Sequence, residues 1–180
     1  MVFDRLKMSA LAAAFALLAG CSTMPVGNPS VPEPTKAVDL KAYSGLWYEM
    51  GRYENRFETN CEGVTAEYTP LPGGSVQVIN TCHKASATGR VKVSKGNAKL
   101  VENANGAKLK VSFFGPLYFG NYWILDHADD YAWSIVGEPS GEYLWLLTRQ
   151  ANPAPADKAL IEARAHQLGY NVDLLHATQH

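Results

Sequence analysis

Along most of the chain, apolar and polar residues alternate one by one, the period of a strand with one buried and one wet face. The alternation is complete in Leu109–Phe113, where Leu109, Val111 and Phe113 are interleaved with Lys110 and Ser112. Seven further runs share the period, separated by turn residues: Leu46–Tyr53, Val64–Thr69, Ser75–Cys82, Gly89–Val101, Tyr122–Asp126, Ala132–Gly137 and Tyr143–Thr148. Lys95-Gly96-Asn97 interrupts the fourth run and reads as a bulge or kink. Eight short strands at regular spacing predict a sandwich or an up-and-down barrel. After Thr148 the period changes. Pro153 and Pro155 lead into ADKALIEARAHQLGY, where Leu160, Ile161, Ala165 and Leu168 form a helical stripe and Gly169 offers a C-cap. Such a helix has to bury its stripe, most simply against the outside of the sheet. A short last strand near Leu174–Thr178 would return to a sheet edge.

One turn breaks the pattern of polar connections. FGPLYFG, from Phe114 to Gly120, is as apolar as the strands beside it. The stretch Leu109–Leu125 carries six aromatic side chains, which calls for an apolar counterpart outside the fold or a gate.

The N-terminus has its own chemistry. Arg5 and Lys7 precede an apolar stretch, MSALAAAFALLAG, that is too short to span a bilayer comfortably. Leu18-Ala19-Gly20-Cys21 follows, small residues set immediately before a cysteine, and resembles a bacterial lipobox. The resemblance implies cleavage after residue 20 and lipidation of Cys21. Ser22, where an aspartate would retain the protein at the inner membrane, implies the outer membrane. The plainer reading, an ordinary signal peptide or a short anchor helix with Cys21 incidental, has no use for that residue order. Residues 21–37 carry four prolines and read as an extended tether that cannot pack, leaving 38–180 as one domain.

Composition narrows the function. With 180 residues, 47% hydrophobic and formal net charge -1, the chain suits one domain with a substantial core and gives no electrostatic case for nucleic acid. With Cys21 spent on lipid, Cys61 and Cys82 remain in an oxidising compartment. They flank a hairpin turning near Pro72-Gly73, which places them nearly opposite and predicts a disulfide. No further ligand cluster accompanies His83, so no metal is called for. There is no Gly-x-Ser-x-Gly elbow, His-Glu-x-x-His pair or P-loop, so no cofactor or catalytic residue is assigned.

Two distant residues carry a family resemblance. Gly45-Leu46-Trp47 opens the first strand and Arg149 closes the eighth, which resembles the lipocalin signature. Indole plugs the base of such a cup while guanidinium lies on its face and reaches nearby carbonyls. GLWYEMGRYENRFE, VTAEY, LKVSFFGP and YLWLLTR are similar to the bacterial outer-membrane group of that family, the group related to apolipoprotein D. DHADDYAW matches the middle family motif only loosely. The resemblance implies an eight-stranded antiparallel up-and-down barrel, a calyx, with one C-terminal α-helix packed outside. It implies no enzymatic activity but binding of small hydrophobic ligands such as fatty acids and lysophospholipids, with the membrane reached through the anchor.

With Trp47 at the base, connections after odd strands lie at the mouth, including Asn55–Glu62 and Gly115–Phe119. Alternation then places Glu49 and Tyr53 inside with Trp47, and Tyr143 and Trp145 inside from the eighth strand. Val64, Ala66 and Tyr68 follow from the second strand, and Val76, Val78 and Asn80 from the third. Leu109, Val111 and Phe113 line the fifth, and Trp123 and Leu125 are assigned inward on the sixth, where Tyr122 and Ile124 are equally apolar. A filled barrel that docks a partner through its aromatic mouth, and a lipid-modifying enzyme at Glu49, are the competing readings. A homodimer is left open.

Overall fold

A computed structural model describes residues 26–180; the leader and Cys21 lie outside the described residues. Eight antiparallel strands form the wall: β1 Gly45–Tyr53, β2 Cys61–Pro70, β3 Ser75–Lys84, β4 Arg90–Leu100, β5 Lys108–Ser112, β6 Gly120–His127, β7 Trp133–Gly137 and β8 Leu144–Thr148. Each pairs with the next, and β1 pairs with both β8 and β2, closing the barrel. Helix α1, Leu40–Tyr43, lies before β1, and helix α2, Pro155–Gln167, packs outside. Of the expected stripe, Ile161 and Ala165 are buried on a cluster with Met50, Leu125, Ile135 and Leu146, and Leu168 packs against it; Leu160 faces solvent.

The seam between β1 and β2 is only half backbone-paired. Gly45–Tyr48 meets Thr65–Tyr68, and above that point β1 leaves β2. The short strand β9, Leu175–Ala177, pairs instead with Gly51–Tyr53. Thr178 donates its N–H to Met50, and Gly63 of β2 donates to Gln179, so the C-terminal residues fill the gap. The expected return of this segment to an edge is therefore a return into the wall.

Bulges decide which faces look inward. β1 carries one between Glu49 and Gly51, β2 between Glu62 and Thr65, and β6 between Ile124 and Asp126. The interruption expected at Lys95-Gly96-Asn97 is absent: β4 pairs with β3 from Arg90 through Lys99 without a shift in register. Gly96 serves another purpose, since a Cβ there would stand 2.6 Å from the Ser112 carbonyl and 2.8 Å from the Phe113 ring.

The proline-rich segment also departs from expectation. From Gly27 it runs down the outside of the barrel as a packed strap. At the mouth, the N–H groups of Gly27 and Asn28 donate to the Gly141 carbonyl, and Asn171 donates to that of Gly27. Asn28 is buried and its amide donates to the Leu168 carbonyl at 2.9 Å. Gly141 has a positive φ, and a side chain there would collide with the Asn28 carbonyl. Near the base, Lys36 reaches the His127 carbonyl and Asp129, and Val38 donates to Asn105. Proline removes amide donors and favours an extended chain. That made the segment read as a tether, yet it equally suits a strap held by its few remaining amides.

Candidate functional site

The closed end is built around Trp47. Its side chain is fully buried, its Nε1 donates to the Tyr43 carbonyl at 2.8 Å, and the Arg149 guanidinium lies 3.7 Å over the ring. Arg149 spreads its donors over the carbonyls of Ala42, Tyr43, Ser44, Leu46 and Tyr131. The pair expected from sequence thus ties β1, β8 and the segment carrying α1 together. The Tyr43 ring, 4.9 Å from Trp47, begins the layer above it.

A cavity of about 940 Å³ lies over that plug. Tyr43, Tyr68 and Tyr122 meet on its floor, with hydroxyls 2.9 and 2.8 Å apart through Tyr122, and Tyr43 also bonds Ser134. Burial pushes the Tyr43 phenol up to about 12, and those of Tyr68 and Tyr122 further, so all three stay neutral. Asn80, also lining the cavity, leaves its Oδ1 without a partner among the described residues. The walls are apolar, with Val76, Val78, Ala98, Leu109, Val111 and Leu147. Around the mouth stand Arg56 and Lys92, with Glu58 and Glu138.

Glu49 is the most deeply buried acid among the described residues of the wall. Its carboxyl accepts from Arg52 Nη1 at 2.9 Å and from the Thr178 hydroxyl at 2.5 Å. Arg52, fully buried too, also meets Glu54 and the Glu58 carbonyl. Burial first, and then repulsion from Glu58, push the Glu49 carboxyl up to about 8 against the pull of Arg52. Burial disfavours the Arg52 charge, but Glu49, Glu58 and Glu54 outweigh it and keep the guanidinium protonated. One guanidinium serves several carboxyls, so an upward shift at the most buried of them is the physical expectation.

Twelve residues assigned inward from sequence line this cavity: Glu49, Val64, Ala66, Tyr68, Val76, Val78, Asn80, Leu109, Val111, Phe113, Tyr143 and Trp145. Tyr53, Trp123 and Leu125 do not. The bulge in β1 turns Gly51 and Tyr53 outward and Arg52 inward, and Tyr53 packs under the strap and on Tyr170. On β6, Tyr122 stands opposite Leu109 and Ile124 opposite Val136, which sends Trp123 and Leu125 out to the α2 cluster. Both strand faces were equally apolar there, so alternation had nothing to choose with. Tyr43, Tyr122, Arg56, Glu58 and Lys92 are lining residues that the sequence reading passed over. The alternation Lys92, Ser94, Gly96, Ala98 could have revealed the inner face of β4 had the apolar Val91 and Val93 not marked the other face as the buried one.

Cys61 and Cys82 form the expected disulfide, with Cα atoms 5.3 Å apart, and Cys82 lines the cavity. Among the described residues no cluster of three metal-binding side chains occurs, and no helix is long and apolar enough to cross a membrane. A second, shallower cleft of about 420 Å³ lies between α2 and the β6–β7 end, bordered by the Arg164–Asp126 and Lys36–Asp129 ion pairs.

Comparison with known proteins agrees with this geometry. Residues 38–180 match a family described as a lipocalin-like domain. Outer membrane lipoprotein Blc of Escherichia coli K12 is 35% identical over 93% of this chain and 92% of its own. The Vibrio cholerae protein of the same name is 37% identical over 74% of this chain and 75% of its own. Insecticyanin of the tobacco hornworm Manduca sexta superposes with a TM-score of 0.68, at 19% identity and 87% coverage of both chains.

Proposed function

The chain belongs to the lipocalin family, and from that premise we propose that it is an outer-membrane-anchored carrier whose cavity takes fatty acids, lysophospholipids or similar single-tailed lipids. The observation that carries this reading is the cavity itself: about 940 Å³, apolar in its walls, neutral phenols on its floor and charges confined to its upper part. That size lies towards the upper end of small-molecule sites, roughly 300–1,000 Å³. An acyl chain buried there contributes roughly 25 cal/mol per Å², enough to outweigh its ordering cost at micromolar affinity. Arg56 and Lys92 stand where an anionic head group would emerge. The names of the Escherichia coli and Vibrio cholerae relatives support the outer-membrane setting, as does the lipobox-like sequence ending at Cys21. Maintenance of membrane lipids is the role such a carrier would serve.

Titration of the mature chain with a fatty acid and with a lysophospholipid, following the emission of its four tryptophans, of which Trp145 lines the cavity, tests the reading. Saturable binding is expected, weakened at least about tenfold, or 1.4 kcal/mol, by Ala66→Trp, which fills the cavity. Absence of saturation, or indifference to that substitution, would favour a barrel that does not carry lipid.

A further inference from the structure

The two ends of the barrel differ in what they show to solvent. The mouth connection β1–β2 exposes Phe57 at 56%, and β5–β6 exposes Phe114 at 87%, Leu117 at 57% and Phe119 at 77%. In an eight-stranded ring ordered by sequence, these two connections lie on opposite sides of the opening. They form two apolar lips with the cavity between them. At the closed end, the β4–β5 and β6–β7 connections carry Glu102, Asn103, Asn105, Asp129 and Asp130, and the β2–β3 connection shows only Leu71, at 36%.

The strap says where the N-terminus leaves the fold. Gly27 is held to Gly141 in the β7–β8 connection, which lies between the two lips in the ring. Tyr53, the mouth end of β1, packs so closely on Gly27 that a side chain there would overlap its ring. Val26, just before the pinned residue, is half exposed. Cys21 is only six peptide steps from Gly27, a span of at most roughly 20 Å. The wall is roughly 25 Å tall, given ten-residue strands tilted as in barrels of this size. A lipid on Cys21 therefore cannot bring the closed end onto a bilayer. The reach keeps the mouth end of the barrel beside the bilayer.

We infer that the open end docks on the bilayer that holds the anchor, with Phe57 on one lip and Phe114, Leu117 and Phe119 on the other seated among the lipids. Aromatic and aliphatic side chains on loops suit the interfacial layer, where they bury apolar surface while the loop backbone stays hydrated. Anchor, lips and cavity then act along one axis: a lipid leaving the bilayer between the lips enters the cavity without crossing water. The inference rests on the anchor at Cys21 proposed above.

The test attaches the mature chain through its Cys21 thiol to a maleimide phospholipid in vesicles of phosphatidylethanolamine and phosphatidylglycerol. Cys61 and Cys82 being bonded, Cys21 is the remaining thiol of the three cysteines. Hydrogen exchange is compared with that of the same chain, its thiol blocked, free in solution. Slower exchange is expected over 54–60 and 113–119 on attachment, with 101–107 and 128–132 unchanged. The double substitution Phe114→Ser, Phe119→Ser is expected to remove the protection over 113–119 while the barrel still melts cooperatively. Protection at the closed-end connections, or at neither end, would overturn the inference. So would protection of both lips already in solution together with sedimentation as a dimer, because the occupant would then be a second copy. The chemical attachment makes this outcome independent of acylation in cells, which labelling with palmitate and its loss in Cys21→Ala decides separately.

Discussion

The base and the mouth of this barrel are both rich in aromatic rings, and they use them in opposite ways. At the base, Trp47 is fully enclosed, its indole N–H is partnered, and Arg149 covers its face while meeting carbonyls from five residues. Each group there needs the others, because an unpaired carbonyl or guanidinium in that setting would be costly. At the mouth, Phe114 and Phe119 project from a connection and gain almost no burial from the fold. Rings at the base stabilise the chain, whereas rings at the lips leave stability to the rest and remain free to meet something else.

That contrast can be broken most directly at the base. Trp47→Ala is expected to cost about 3–5 kcal/mol, the range for emptying a large enclosed aromatic site, seen as a lower midpoint in urea unfolding. A loss below about 1 kcal/mol, in the range of surface changes, would mean that Arg149 and α1 close the base without the indole.

Between the two ends, Glu49 supplies a pH dependence. Its folded carboxyl sits at about 8, above the value near 4.5 of the free group. The folded chain therefore holds a proton that the unfolded chain has released, and the stability this contributes is fully present below about pH 4.5. It is lost as the pH rises towards 8. Chemical unfolding at pH 5 and pH 8 is expected to show the decline, and Glu49→Gln to flatten it. A slope unchanged by Glu49→Gln would place the titration elsewhere.

The smallest effect is expected at the lips. Replacing both Phe114 and Phe119 by serine should leave the unfolding free energy in water within about 0.5 kcal/mol, as for surface changes that remove no packing. A larger loss would show that the fold, and not an outside partner, uses these rings.

Much of the architecture was legible because alternation reports burial wherever one face of a strand is polar. β5 shows this up to Val111, with Lys108 and Lys110 against Leu109 and Val111; Ser112, at the strand's end, is buried instead, bonded to the Gly115 carbonyl and the Phe114 N–H. The same rule failed on β6, where Tyr122-Trp123-Ile124-Leu125 is apolar on both faces because one side meets the cavity and the other meets α2. It failed again past Met50, since a bulge moves every later side chain to the other face and leaves no mark in composition. The cavity floor was hidden for another reason. Tyr43 comes from α1 and Tyr122 from β6, and only the closure of the barrel brings their hydroxyls together. The strap was misjudged because prolines declare an extended backbone without saying what it lies against.

The way residues 175–179 complete the wall has a consequence for the order of events in synthesis and export. β1 is among the first strands to emerge, yet its upper half has no seam partner until Leu175–Ala177 arrives and Gln179 is bonded to Gly63. The ring is thus joined by contacts between nearly the first and nearly the last residues of the domain, the kind of closure that folds slowly. Until then the cavity lining stays open along one side. A chain threaded across a membrane from its N-terminus spends its whole passage in that unfinished state, and the envelope side has to shelter it until the final strand follows.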